Sequence, residues 1–475
     1  MKETEFKDEL TSLVQLEHPN LALFGLMLGS FVGMFSETSL NIALPRMMTA
    51  LHVDTGTIQW LVTGYMLVIG IVMPLSSLLT RKFKTQRIVL FALSAFIVGA
   101  LISAIASTFS VVLIGRMIQG IGTGLILPLM FSVAMVIFPP QKLGTIMGLC
   151  SLVIMFAPAI GPTLTGLMLN SLSWHFIFWL FIPFLLVSFV ITAVYLKNTF
   201  QQSDSSTDIF SLLLSTIGFG GIVIGTSLAS NLGWLSLPVA ACLIVGIVAV
   251  GLYVARQTHL ATPVLNVSVF KSKAFSIGTA MVILNFAIIL ASAYLLPMYL
   301  QRVLGTSTAV AGLVMLPGGL VNVVVSGLAG RLYDTYGAKW LTRIGFVIVI
   351  ISVMMFLMIK VKTAVWVIVL GNIVLMIGAP LVMSPAQSYG LNSLDKRYSA
   401  DGSTILSTLQ QIAGAVSTAI ATSMLSTGFR QTPNAVGLTH GTHLGFIFVM
   451  IMAVLALIIS VGVKKPVRSK DINVA

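Results

Sequence analysis

"FSETSLNIALP" (Phe35–Pro45) places a single glutamate inside a long apolar run. An ionised carboxylate left alone in such a setting is costly. Either the run is not a membrane span, or it is a span whose acid has a task. Composition favours the span. Of 475 residues, 57% are hydrophobic and only 8% are charged, and the mean hydropathy is +1.04. Soluble domains carry about a quarter charged residues. The chain therefore reads as a multi-span membrane protein, and length-based domain counts for soluble proteins do not apply.

Working outward from Glu37, a spanning helix needs about 20 mostly apolar residues. Fourteen segments qualify: 21–44, 57–79, 88–107, 110–137, 143–169, 175–196, 209–229, 235–255, 274–300, 307–330, 341–360, 364–388, 400–426 and 442–463. Several hold Gly and Pro, which membrane helices tolerate. The polar lead "MKETEFKDEL" does not read as a signal peptide, so the first run is expected to be retained.

An even number of spans puts both termini on one side, and Lys and Arg decide which side. Of the 26 Lys and Arg residues, 20 fall on the side of the termini. Five fall opposite (Arg46, Arg302, Lys360, Lys362 and Arg430), and Arg116 lies within a span. Both termini are predicted to be cytoplasmic, in a plasma-membrane protein. The net charge of +13 is thus a topology signal, with a possible role at anionic lipid. It argues against nucleic acid as a partner.

Two short basic loops, "SSLLTRKFKTQR" (Ser76–Arg87) and "GRLYDTYGAK" (Gly330–Lys339), follow the second and tenth spans. They suggest equivalent halves, the common plan of secondary transporters. Residues 1–200 then form one six-helix bundle, 201–260 an inserted hairpin of spans seven and eight, and 261–475 a second six-helix bundle. "NTFQQSDSSTD" (Asn198–Asp208) and "RQTHLATP" (Arg256–Pro263) mark the boundaries.

Glu37 is the one acid clearly inside a span, with Asp401 at the start of span thirteen as its nearest rival. Arg116 is the one clearly buried cation. At 1.5 Å per residue, both lie about 10 Å below the surface opposite the termini. A buried ionisable group in a membrane is a functional candidate. Burial disfavours its charged form and a neighbouring arginine favours it. A carboxylate held between those effects can load and release protons, or attract a cationic substrate. The alternative is a structural Glu37–Arg116 pair that fixes helix packing.

Polar neighbours suggest a cavity that binds substrate: Asn41 one turn above Glu37, Gln119 beside Arg116, and Gln59, Trp60 and Tyr65 on span two. Asn285 and Tyr294 on span nine, and Gln410 and Gln411 on span thirteen, complete the set. Each is also explicable as an ordinary interhelical hydrogen bond. The 24 methionines suit either an adaptable wall or plain core filling. Span five, "GLCSLVIMFAPAIGPTLTG" (Gly148–Gly166), has small faces at Gly148, Gly161 and Gly166 and kink-forming Pro158 and Pro162. Such a helix suits an interface that opens and closes, or static tight packing.

No phosphate loop and no H-E-x-x-H occur. Cys150 and Cys242 lie in apolar segments with no metal or disulfide spacing. His440 and His443 form "HGTH" in an expected loop without a third ligand. No cofactor or metal is expected, so energy must come from an ion gradient, the substrate gradient or another subunit.

These segments resemble the fourteen-span drug:proton antiporters of the major facilitator superfamily, the EmrB/QacA type that includes lincomycin-resistance exporters. In that family the first span reads Asp-x-T and then A-L-P; here Glu37, Thr38, Asn41, Ala43, Leu44 and Pro45 stand there. "LIGRMIQGIGTG" (Leu113–Gly124) is similar to the span-four motif, whose arginine, here Arg116, the family implicates in proton coupling. "APAIGPTLTG" (Ala157–Gly166) resembles the span-five antiporter motif. "WHFIFWLFIP" (Trp174–Pro183), "YLLPMYLQRVLG" (Tyr294–Gly305) and "STLQQIAGAV" (Ser407–Val416) also resemble exporter segments.

The loop motif after span two departs from the family at Ser77, Arg81 and Lys84, while the later copy keeps Gly330, Asp334 and Gly337. The departures count against the conformational latch the family places in the first copy. The resemblance implies an all-α membrane protein of major facilitator fold. It would work as a monomer and as no enzyme, exporting amphipathic small molecules against protons by alternating access. Glu37 and Arg116 would couple protons. An exporter of one metabolite, lipid or signalling nucleotide is the main alternative. Proton-coupled uptake and a non-transporting sensor rank behind it.

Overall fold

The computed structural model describes residues 16–199, 208–260, 263, 265–395 and 398–463. Fourteen of its helices are long and apolar enough to span a membrane, and no strand occurs among the described residues. They are α1 (Pro19–Leu51), α2 (Trp60–Lys82), α3 (Thr85–Ala104), α4 (Phe109–Ile137), α5 (Pro140–Ser171), α6 (His175–Tyr195) and α7 (Ile209–Leu232). The remainder are α8 (Leu237–His259), α9 (Lys273–Arg302), α10 (Thr308–Tyr336), α11 (Ala338–Leu357), α12 (Val365–Leu391), α13 (Ser399–Gln431) and α14 (Ala435–Ser460). The end at which α1 begins is called proximal and the other distal.

Each apolar run forms a helix because backbone N–H and C=O groups then bond within the segment. The ends are set by local chemistry. Asp208, Ser272, Ser307 and Asn434 each accept a hydrogen bond from a first-turn N–H of α7, α9, α10 and α14. Gly337 closes α10 at φ +73°, a backbone region open to glycine. The helices outrun the apolar runs. α1 passes Pro45 and ends at Leu51, and α5 is continuous through Pro158 and Pro162. His440 and His443 belong to α14 rather than to a loop, and His443 Nε2 lies 2.8 Å from Ile359 O.

α1–α6 pack among themselves as one bundle, and α9–α14 as a second. The bundles meet along three seams, α1 with α9, α2 with α13, and α5 with α10. α7 and α8 pair with each other, and α7 also lies on α2 and α13. At the proximal base of this pair, Arg256 Nε and Nη2 donate to Asp208 at 2.9 and 3.1 Å. Those bonds, chiefly, draw the Asp208 carboxyl down to about 2.

Candidate functional site

The Arg116 layer is built from four helices of the first bundle, α1 to α4. Arg116 is fully buried on α4. Its Nε donates to Leu61 O at 3.1 Å, its Nη1 to Gln119 Oε1 at 2.9 Å and to Ser36 Oγ, and its Nη2 to Ser36 O at 3.4 Å. The guanidinium lies 3.9 Å from the centre of the Tyr65 ring. Tyr65 in turn donates to Gly33 O at 2.9 Å and pairs with Thr123 Oγ1 at 2.8 Å. Gln119 Nε2 donates to Ser103 Oγ at 3.2 Å. Four of the five guanidinium N–H bonds are thus met by neutral acceptors.

Glu37 is one residue from Ser36, so the acid and Arg116 do share a layer. They form no ion pair: among the described residues the ion pairs are Lys197–Glu17 and Arg256–Asp208. Both Glu37 carboxylate oxygens are buried with no hydrogen-bond partner. The two groups share a level, but the azimuth around each helix turns Arg116 onto Ser36 and Gln119.

Unpartnered polar atoms continue around Glu37's helix and across to the other bundle. They include Asn41 Oδ1, both side-chain polar atoms of Gln59, Asn285 Oδ1, Tyr294 Oη and Gln411 Oε1. Gln411 faces Glu37, and Thr422 faces Tyr294, without meeting hydrogen-bond geometry. Asn285 Nδ2 is used by Ala379 O at 3.0 Å, and Gln410 Nε2 lies 3.8 Å from Met383 Sδ. Trp60 is half-buried at the start of α2. The candidate residues therefore divide. Tyr65 and Gln119 support Arg116, while Asn41, Gln59, Tyr294 and Gln411 carry open hydrogen-bonding capacity on helices that meet between the bundles.

Glycines bring α5 against both bundles. A Cβ at Gly161 would stand 2.8 Å from Thr38 Oγ1 and 3.3 Å from Phe35 O, beside Glu37. One at Gly166 would stand 2.5 Å from Thr308 O, and one at Gly319 2.5 Å from Ala159 O. Thr163 donates to Gly312 O at 2.9 Å. Toward the proximal end, Gly148, Gly327 and Gly330 have no atom within 4 Å of a Cβ position. The side chains of Ser77, Arg81 and Asp334 lie outside the described residues.

The distal end is bridged between bundles. Gln301 Nε2 donates to Ile42 O at 3.0 Å and Arg302 Nη1 to Thr55 Oγ1 at 3.0 Å. Gln301 and Arg302 also line a distal cavity of about 600 Å³, with Arg46, Asn170 and Ser307 in its wall. Sequence reasoning missed Ser36, Ser103, Thr123 and the bridging role of Gln301. The one signal was position: Ser36 adjoins the buried acid, and Thr123 follows Arg116 by two helical turns.

The family model of the Major Facilitator Superfamily matches residues 26–418. The chain is 44% identical over 449 residues to the lincomycin resistance protein LmrB of Bacillus subtilis, covering 92% of this chain and 94% of that one. It is 41% identical over 457 residues to the protein of the same name from Listeria monocytogenes, covering 94% and 97%. Among solved structures, a POT family transporter in complex with 5-aminolevulinic acid superposes with a TM-score of 0.70 at 14% identity, covering 95% of this chain and 97% of that one. That likeness is one of fold.

Proposed function

This chain belongs to the Major Facilitator Superfamily, and we propose that it exports amphipathic, basic small molecules in exchange for protons by alternating access. It is a multi-pass membrane transporter and not an enzyme. The observation that carries the proposal is the buried, unpartnered Glu37 carboxylate beside an arginine with four of its five N–H donors already used. A carboxylate in that position is relieved by a proton or by a cationic group, and by one at a time. Competition for one acceptor exchanges substrate for proton. The open polar atoms of Asn41, Gln59, Tyr294 and Gln411 would orient the substrate. Arg116 would hold Ser36, and hence the turn that carries Glu37, in place.

The excess of Lys and Arg on the proximal side supports a cytoplasmic proximal side. The distal bridges of Gln301 and Arg302 then close the path to the outside, and substrate enters from the cytoplasm or inner leaflet. The names of the lincomycin resistance relatives supply the first compound to try.

The test uses proteoliposomes with an imposed pH gradient, an internal pH dye and added lincomycin. Wild type should move protons on addition, and Glu37→Gln should not. Coupled movement that survives in Glu37→Gln would remove Glu37 from the coupling role. Lincomycin movement that ignores the pH gradient would remove proton exchange.

A further inference from the structure

Five cations stand at the distal end: Arg46, Arg302, Lys360, Lys362 and Arg430. Arg430, at the end of α13, is spent on α7: its Nη2 donates to Ser230 O at 2.8 Å and to Asn231 O at 2.9 Å. Arg46 and Arg302 are placed differently, because both line the distal cavity. Arg46, near the end of α1, is exposed and enters none of the ion pairs among the described residues. Arg302 ends α9 over the Phe429 ring, gives Nη1 to Thr55 and has no acid as a partner among the described residues. No acid lines the cavity among the described residues. Asp54, next to the wall residue Val53, turns its carboxylate onto Thr57 N at 2.6 Å and caps the short helix there.

The rest of the polar wall supplies donors. α10 begins at the cavity, with Ser307 as its cap and Thr308 as its first residue. A helix start carries about half a positive charge and N–H groups without partners inside the helix. Ser307 Oγ takes up the N–H of Val310 at 3.3 Å, and that of Thr308 stays at the mouth. Asn170, exposed at the end of α5, adds a side-chain amide. The volume of about 600 Å³ is that of a small-molecule site. Basic compounds of the kind drawn to Glu37 are poor occupants of such a wall. A phosphate group offers oxygens to both guanidinium groups and to the helix start. The donors come from both bundles: Arg46 and Asn170 from the first, Arg302 and the start of α10 from the second.

We propose that the distal cavity is a phosphate-binding site whose ligand bridges the two bundles while that end is closed. The phosphate is either free in solution or part of a lipid headgroup. A ligand that binds one arrangement favours it by mass action, so the distal end must shed the anion before it opens. Phosphate on the distal side is then a brake on turnover. The brake rests on the alternating-access reading; the site does not.

Thermal unfolding tests the site in the full-length protein, held in phosphatidylcholine nanodiscs and titrated with inorganic phosphate against chloride at equal ionic strength. Wild type should show a saturable rise in unfolding temperature. Arg46→Gln and Arg302→Gln should each raise the half-saturating concentration about tenfold, the size of one lost charged hydrogen bond. Each variant is read against its own baseline, and glutamine at 302 keeps an N–H for Thr55. In a second arm, phosphatidylglycerol in the nanodisc replaces the added phosphate. A rise confined to that arm, and absent from both variants, assigns the phosphate to a lipid headgroup. A rise without saturation, or equal in wild type and both variants, is the general effect of an excluded salt and would overturn the site. So would no rise in either arm. Weakening in one variant alone would place the anion on one bundle and overturn the bridge. No exported compound and no pH gradient is used, so these outcomes stay readable if the export reading fails.

Discussion

Two neighbouring regions of the first bundle treat buried polarity in opposite ways. Around Arg116 nearly every donor has an acceptor, and the aromatic face of Tyr65 covers the guanidinium. Around Glu37 the carboxylate, Asn41 and Gln59 have buried atoms with no partner. A saturated network fixes a geometry. An unsaturated one is costly by itself and is relieved only by something that arrives. The contrast supports the proposal that the arginine is the frame and the glutamate the site, although a sequence shows both simply as charges in apolar helices.

The largest stability effect should come from breaking the saturated side. Arg116→Met removes the charged hydrogen bonds and strands Ser36 and Gln119, a loss of about 3 kcal/mol. Thermal unfolding in detergent should show the fall, together with loss of transport. A stability within error of wild type would show that the network is no frame.

Next in size is Gly161→Val, which drives a side chain into Thr38 and the Phe35 carbonyl. Overpacking of this kind costs about 1–3 kcal/mol. It should displace the turn carrying Glu37 and cut transport even in molecules that fold. Normal efflux by Gly161→Val would separate α5 from the site.

Glu37→Gln should behave oppositely to Arg116→Met. It removes an unpartnered charge without changing shape, so the unfolding temperature should hold or rise while proton coupling is lost. A destabilised Glu37→Gln would mean that the carboxylate is bonded after all, and the contrast between the two regions would fail.

The smallest effect belongs to Asp208→Asn, at the base of the inserted pair. Asparagine keeps the helix cap but gives up the charge that pairs with Arg256. The Asp208 carboxyl is drawn below its ordinary range, to about 2. Its contribution is therefore complete above the ordinary carboxylate range near pH 4 and is lost as pH falls through about 2. The gap in unfolding temperature between wild type and Asp208→Asn should be small and constant from neutral pH to about 5, and close only below about 4. A gap that changes around neutrality would assign it to another group.

Much of the fold was legible because apolar runs of spanning length leave few alternatives, and because Glu37 and Arg116 stand out against them. Helix ends were less legible, since α1 continues past Pro45, where no apolar run signals it. The partnership of the two charges was not legible at all. Depth follows from counting residues, but azimuth depends on packing, and packing gave Arg116 to Ser36, Gln119 and Leu61 O. The place of α7 was hidden for a related reason. Arg430 had counted as a distal cation, yet it bonds to backbone carbonyls, which leave no signature in a sequence.

The distal cavity carries one more consequence. Arg46 and Arg302 stand in its wall, and no acid does among the described residues lining it. Two guanidinium groups in a concave mouth produce a positive potential that thins nearby cations and gathers anions. Physiological salt confines that field to about 8 Å, so it is felt within the cavity and little further. A cation arriving from the distal side is thinned there before it reaches the bundle, and one departing crosses the same rise. The mouth is a toll on positive charge, equal in both directions, that anions and neutral molecules do not meet.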